Sequence, residues 1–235
     1  MAEPIFAASR MKVQRAHGFI AELQQVLVTY IDANPPRITP VPAREGEVSF
    51  DIEWNNLGLL PGAIVGDVVH NVRTALDLMA SELAAIKGRS NKDVYFPIAD
   101  AEATLDQRIT SLKFTKAGDD AVALLRTFKP YRGGGNLLRD LHDLNNADKH
   151  TALIAVNSDT GIAVDFIQDP EDARKLRIKP IILRAEINFP DGGSLPGEPI
   201  IETLKQMVEL VEGILEAFER LVELRAVAGV KAPTA

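Results

Sequence analysis

The C-terminal stretch of the chain constrains the fold most. Apolar side chains recur there at three- and four-residue spacing: Ile200, Ile201, Leu204, Met207, Val208, Val211, Ile214, Leu215, Phe218, Leu221 and Val222. On an α-helix these positions share one seam, which predicts a helix over about 200–226. Burying half of it contributes roughly 10 kcal/mol before chain entropy is counted, so it must lie against another long helix. The stretch 5–33 is the natural partner. Its Ala16, Phe19, Ile20, Leu23, Val26, Leu27, Tyr30 and Ile31 repeat in the same way, and Pro35 and Pro36 end the run. A seam of this length equally suits a second copy, so a homodimer through the C-terminal helix is the alternative.

Two more long helices are readable. Pro61 opens and Gly88 closes one over 61–87. Asn136 is placed to cap another over 136–150, after a triple glycine at 133–135 that reads as a flexible joint. Shorter helices are expected at 101–111 and 118–128. Val48, Phe50, Ile52 and Trp54 alternate with Glu47, Ser49, Asp51 and Glu53, the pattern of a half-buried strand over 47–54. The preceding 37–43 carries Pro40 and Pro42 and is an edge strand at most. Further strands are expected at 152–157 and 162–167, joined through Asp159 to Gly161, and at 178–189. The class is therefore α+β and mostly helical: a long-helix bundle with a small antiparallel sheet inserted, in one domain over 1–235 with a flexible tail at 227–235.

Composition removes several functions. The chain has no cysteine, which excludes disulfide frameworks and thiolate zinc sites. Its formal charge is −7 with basic residues scattered among acids, which disfavours a broad nucleic-acid surface. No run of ~18 apolar residues exists, so no membrane partner is expected. Without a basic stretch leading into an apolar one at the start, a cytoplasmic location is expected. Dinucleotide, Walker-type and nucleophile-elbow glycine motifs are absent, and no cofactor is implied.

The residues able to do chemistry concentrate in two helical segments. On 64–83, Val68, Val69, Val72, Ala75, Leu76, Met79 and Leu83 share one face, and Asp67, His70, Asn71, Arg73, Thr74, Asp77 and Ser81 the other. Long helix-forming charges usually write a solvated face; short Asp, Asn, His and Thr suit a packed polar cluster better. Arg73 and Asp77 stand one turn apart, and His70 is in reach of an orienting acid. On 136–150, Leu137, Leu141 and Leu144 define the buried side, and Asp148 falls close to it with Asn145 on the same flank. A carboxylate there needs a partner, with Arg73, His70 and Lys149 as candidates, unless the helix has ended and Asp148 closes a turn. The candidate catalytic set is His70, Arg73, Asp77 and His150. Asp67, Asn71, Asn145, Asp148 and Lys149 form the polar surround.

These same segments carry a resemblance. Gly66-Asp67-x-x-His70-Asn71-x-Arg73-x-Ala75-Leu76-Asp77, then Phe96-Pro97-Ile98, then Asn145-x-x-Asp148-Lys149-His150 resembles the motif set of a family of uncharacterised bacterial and phage-associated proteins. The neighbourhood of Arg73 is also similar to the Arg-x-x-x-x-His signature of HEPN proteins, helical RNases and their non-catalytic relatives. That resemblance implies a helical domain in which the pair stabilises a phosphate and moves a proton. Here the histidine position is Leu78, which removes the implied acid–base residue.

Three functions follow as expectations. The leading one is a non-catalytic HEPN-like interaction or oligomerisation module with a buried polar cluster. The second is an RNase-like enzyme directed at RNA or a nucleotide, with Arg73 on the phosphate and His70 or His150 as acid or base. The third is a metal-dependent helical-bundle hydrolase taking ligands from His70, Asp67 or Asp77, and His150, although no His-Glu-x-x-His spacing supports it.

Overall fold

In the computed structural model the described residues are 4–35, 37–41, 49–53, 57–150, 157–168, 176–192 and 194–230. The fold is organised around α2 (Leu60–Ile86), whose flanks are covered by α1 (Ala7–Ala33), α5 (Asn136–His150) and α6 (Ile200–Val230). The short helices α3 (Leu105–Ser111) and α4 (Asp119–Thr127), with single 3-10 turns at 102–104 and 114–117, close one end. The chain is mostly helical, as expected.

Periodicity explains the packing. The α6 seam is buried along its length: Leu204, Val208, Val211, Ile214 and Phe218 are inaccessible, packed with Leu23, Leu76, Met79 and Leu83 into one apolar cluster. The expected pairing of α6 with α1 is present, but α6 also lies on α2. The seam that would have served a second copy thus faces the chain's own core. Leu224 and Val227 remain exposed near the end of α6. This helix runs on to Val230, four residues into the stretch read as a tail; 231–235 lie outside the described residues.

Other boundaries moved for physical reasons. The helix expected over 101–111 begins only at Leu105, because Thr104 turns back on Ala101 through hydrogen bonds of 2.9 and 3.3 Å and tightens that turn. The triple glycine is a tight turn and no flexible joint. A side chain at Gly134 would meet Lys129 Cβ at 2.7 Å, one at Gly135 the Phe128 carbonyl at 2.7 Å, and Gly133 has φ +85°. Asn136 does not cap α5 but accepts the Gly133 amide at 2.8 Å, closing that turn.

Among the described residues the β structure forms two separate two-stranded antiparallel ladders instead of one sheet. β1 (Arg37–Val41) pairs with β2 (Ser49–Glu53), in register Ile38 to Ile52. Val48 and Trp54 of the predicted strand lie outside the described residues. β3 (Asn157–Gln168) runs unbroken through Asp159–Gly161, where a turn was expected, and pairs with β4 (Leu176–Asn188). The irregularity there is a register shift at Gly161/Ile162. Most of the strand expected at 152–157 falls outside the described residues.

Candidate functional site

Arg73 points into the protein from the middle of α2, with 6 % of its surface exposed. Its Nη1 donates to Asp77 Oδ1 at 2.7 Å and its Nη2 to the Phe96 carbonyl at 2.9 Å. Asp77 Oδ1 in turn accepts the Phe96 amide at 3.0 Å. One arginine and one aspartate a helical turn apart thereby satisfy both backbone groups of Phe96, as a neighbouring strand would. The clasp seats Phe96-Pro97-Ile98 on α2, and Phe96 starts a chain of ring contacts through Phe114 to Phe218 on α6. The Arg73–Asp77 pairing read from the sequence is present, and its work is to anchor a loop.

The rest of the predicted cluster divides. Asp67 and His70 are exposed. Asn71 is buried, but its amide donates to the Asp67 carbonyl of its own helix at 2.8 Å. Asn145 is buried, and its Oδ1 has no partner among the described residues. The helix does not end at Asp148, and the expected partners are not met, since Arg73 is bonded elsewhere and His70 is exposed. Asp148 lies instead at Gly66 of α2, its carboxyl carbon 2.8 Å from where a Cβ on Gly66 would stand. Gly66 is therefore the notch that lets the end of α5 approach α2. Lys149 and His150 occupy the last turn of α5, and their side chains lie outside the described residues. Leu138, Leu141 and Leu144 form the buried side of α5, with Leu137 only half-buried. Among the described residues no set of His, Asp and Glu converges as a metal site.

A different polar site lies on the adjoining flank of α5. Arg139, His142 and Asn146, spaced to share one face, look across a cleft of about 390 Å³ at Gln107, Arg108 and Ser111 on α3, with Ile98 and Ala99 also lining it. The seating of Phe96-Pro97-Ile98 by the clasp therefore also fixes this wall. Asp143 grips Arg139 through bonds of 2.6 and 3.1 Å and takes a third, of 2.7 Å, from Arg132. The remaining Nη1 of Arg139 meets Asp100 Oδ1 at 2.6 Å, and that acid is 86 % exposed. Arg108 has no carboxylate partner among the described residues.

His142 is the electrostatic centre of this region. Burial, reinforced by the charges of Arg73, Arg139 and Arg108 and opposed by Asp143, pushes its imidazole down to about 4. It is neutral at pH 7. Asn146 Nδ2 lies 3.1 Å from its Nε2, while its buried Nδ1 has no partner among the described residues. Sequence reading passed over Arg139, His142 and Asn146 although their spacing was visible, because the opposing strip at 104–111 carries no signal that it faces α5.

Fold and site together define a mostly helical protein with a buried polar clasp on α2 and an open polar cleft between α3 and α5. No helix among the described residues is long and apolar enough to cross a membrane. Comparison with protein-family models, with curated proteins and with solved structures gave no match.

Proposed function

We propose that this chain is a non-catalytic interaction module of the HEPN-like kind, and that it takes a small polar ligand in the cleft between α3 and α5. The observation that carries the reading is the bonding of Arg73. Its guanidinium is held by Asp77 and the Phe96 carbonyl, so the residue that an RNase-like mechanism would place on the phosphate is already engaged within the protein. The cleft, by contrast, retains unmatched donors and has the volume of a small-molecule site.

The chemistry of His142 supports binding over turnover. An imidazole held near 4 offers no proton at neutral pH, and as a base it is mismatched to that pH. It serves instead as a fixed neutral hydrogen-bonding wall. The test is a panel of small polar solutes titrated into labelled protein, alongside assays for RNA and nucleotide hydrolysis with and without divalent metal. The expected result is amide shifts clustered on Ser111, Arg139, His142 and Asn146, and no hydrolysis. Hydrolysis that disappears in Arg73→Ala while the fold survives would overturn the reading in favour of the enzyme.

A further inference from the structure

We infer that the cleft's ligand carries a phosphate-type oxyanion bound between Arg108 and Arg139, and that Asp100 occupies part of that site when the ligand is absent. The inference rests on the cleft being a binding site and goes further by naming what binds.

The lining is rich in donors. Arg108, Arg139, Gln107, Asn146 and Ser111 all offer N–H or O–H groups, and Asp100 is the one carboxylate among the residues that line the cleft. Donors arrive from both walls, α3 and α5, which suits a tetrahedral group with oxygens facing each side better than a planar carboxylate gripped by one fork. No Phe, Tyr or Trp lines the cleft, so it lacks the large ring platforms on which nucleobases usually stack. The favoured ligand is a small phosphate monoester or phosphate itself.

Asp100 and Asp143 do different things to Arg139. Asp143 grips it with both oxygens from within α5 and holds it in place whether or not a ligand is bound. Asp100 reaches in from an exposed position to a single nitrogen. An ion pair with so exposed a partner is readily exchanged for a better anion. Arg139 uses two of its five N–H groups in hydrogen bonds to Asp143 and meets Asp100 as an ion pair, which leaves donors for an incoming oxyanion even before Asp100 moves. Arg108 completes the site as the cation with no carboxylate partner among the described residues. The groups facing His142 are Arg73 on α2, Arg139 and Asp143 on α5, and Arg108 on α3. A bound dianion offsets the three cations, so the imidazole titrates at higher pH when the ligand is present.

The experiment titrates glycerol 3-phosphate into the full chain, with inorganic phosphate and neutral glycerol as parallel arms, following cleft amides and the His142 ring by NMR. Binding of both phosphates, at least about tenfold weaker in Arg108→Ala and several-fold tighter in Asp100→Asn, with the His142 titration moved upward, is expected. Both substituted side chains are exposed, so both variants should fold. Shifts from glycerol equal to those from the phosphates would overturn the oxyanion assignment while leaving the cleft a polar-ligand site. Phosphate binding unchanged in Arg108→Ala, or weakened in Asp100→Asn, would overturn it as well. Cleft amides that respond to none of the three arms, in a protein whose wider solute panel also leaves them unmoved, would sink both readings together.

Discussion

Two arginines on neighbouring helices show how alike a structural and a binding site look in sequence. Arg73 on α2 and Arg139 on α5 are both largely buried, and each is paired with an aspartate one turn on, Asp77 and Asp143 respectively. At Arg73 the second partner is a backbone carbonyl in the interior; at Arg139 it is a carboxylate almost fully in solvent. The first set closes on itself, because the aspartate returns the Phe96 amide's hydrogen bond. The second stays open toward a cleft that also holds Arg108, without a carboxylate partner among the described residues, and a neutral histidine. What separates the two is where the second partner lies: in the interior for Arg73, in solvent at the mouth of a cleft for Arg139.

That contrast can be broken most sharply at Asp77. Asp77→Ala leaves the Arg73 guanidinium buried without its counter-charge and the Phe96 amide without an acceptor, and should cost about 3–5 kcal/mol in denaturant unfolding. A loss comparable to a surface substitution would show that the clasp does not hold the loop.

Acid separates the two regions next. His142 has a folded-state value near 4 against an ordinary 6.5, so between those limits the unfolded chain binds the extra proton. Its contribution is complete above pH 6.5 and is lost as pH falls toward 4, on the order of 3 kcal/mol in all. The difference between wild type and His142→Gln across that window isolates the histidine from the carboxylates. Asp120, held at about 2 by the Arg225 guanidinium, acts below that window, giving stability that fades only as pH falls below the ordinary carboxylate range, whereas burial pushes the Asp140 carboxyl up toward it. A difference that stays flat from pH 6.5 to 4 would contradict the buried neutral imidazole.

A smaller effect is expected where α5 meets α2. Gly66→Ala pushes a methyl into the Asp148 carboxylate and should cost about 1–3 kcal/mol; Asp148→Ala in the same chain should recover most of it. The smallest effect is at His70. His70→Ala should change stability by no more than about 0.5 kcal/mol, because the side chain is exposed.

These contrasts also mark what was legible in the residues. The α6 seam, the limits of α2 and the Arg73–Asp77 spacing all follow from periods of three to four residues, which a single helix carries within itself. The place of Asp148 near the buried side of α5 was legible, but its neighbour was not: it lies at Gly66 of α2, while Arg73 is bonded elsewhere, His70 is exposed and the helix runs past it. The partition of the α2 polar side was not, since Asp67 and His70 face solvent only because of where α1, α5 and α6 lie. Nor was the cleft. Periodicity says which side of a helix is polar but not which distant strip comes to face it, and α3 reaches α5 through the Phe96 clasp and the glycine turn at 133–135. The two ladders escaped for a related reason: alternation predicts strands, while their partners and unbroken length depend on pairing across the chain.

Hydrogen exchange at the Phe96 amide reports whether the Arg73–Asp77 clasp holds the loop. This amide should exchange only through large-scale unfolding in the wild type and in Arg108→Ala, and at least about a hundredfold faster in Asp77→Ala under conditions where the fold persists. An amide that exchanges freely in the wild type, or that slows no further than its solvent-exposed neighbours, would mean that the α2 arginine is not committed to the loop and is available for chemistry after all.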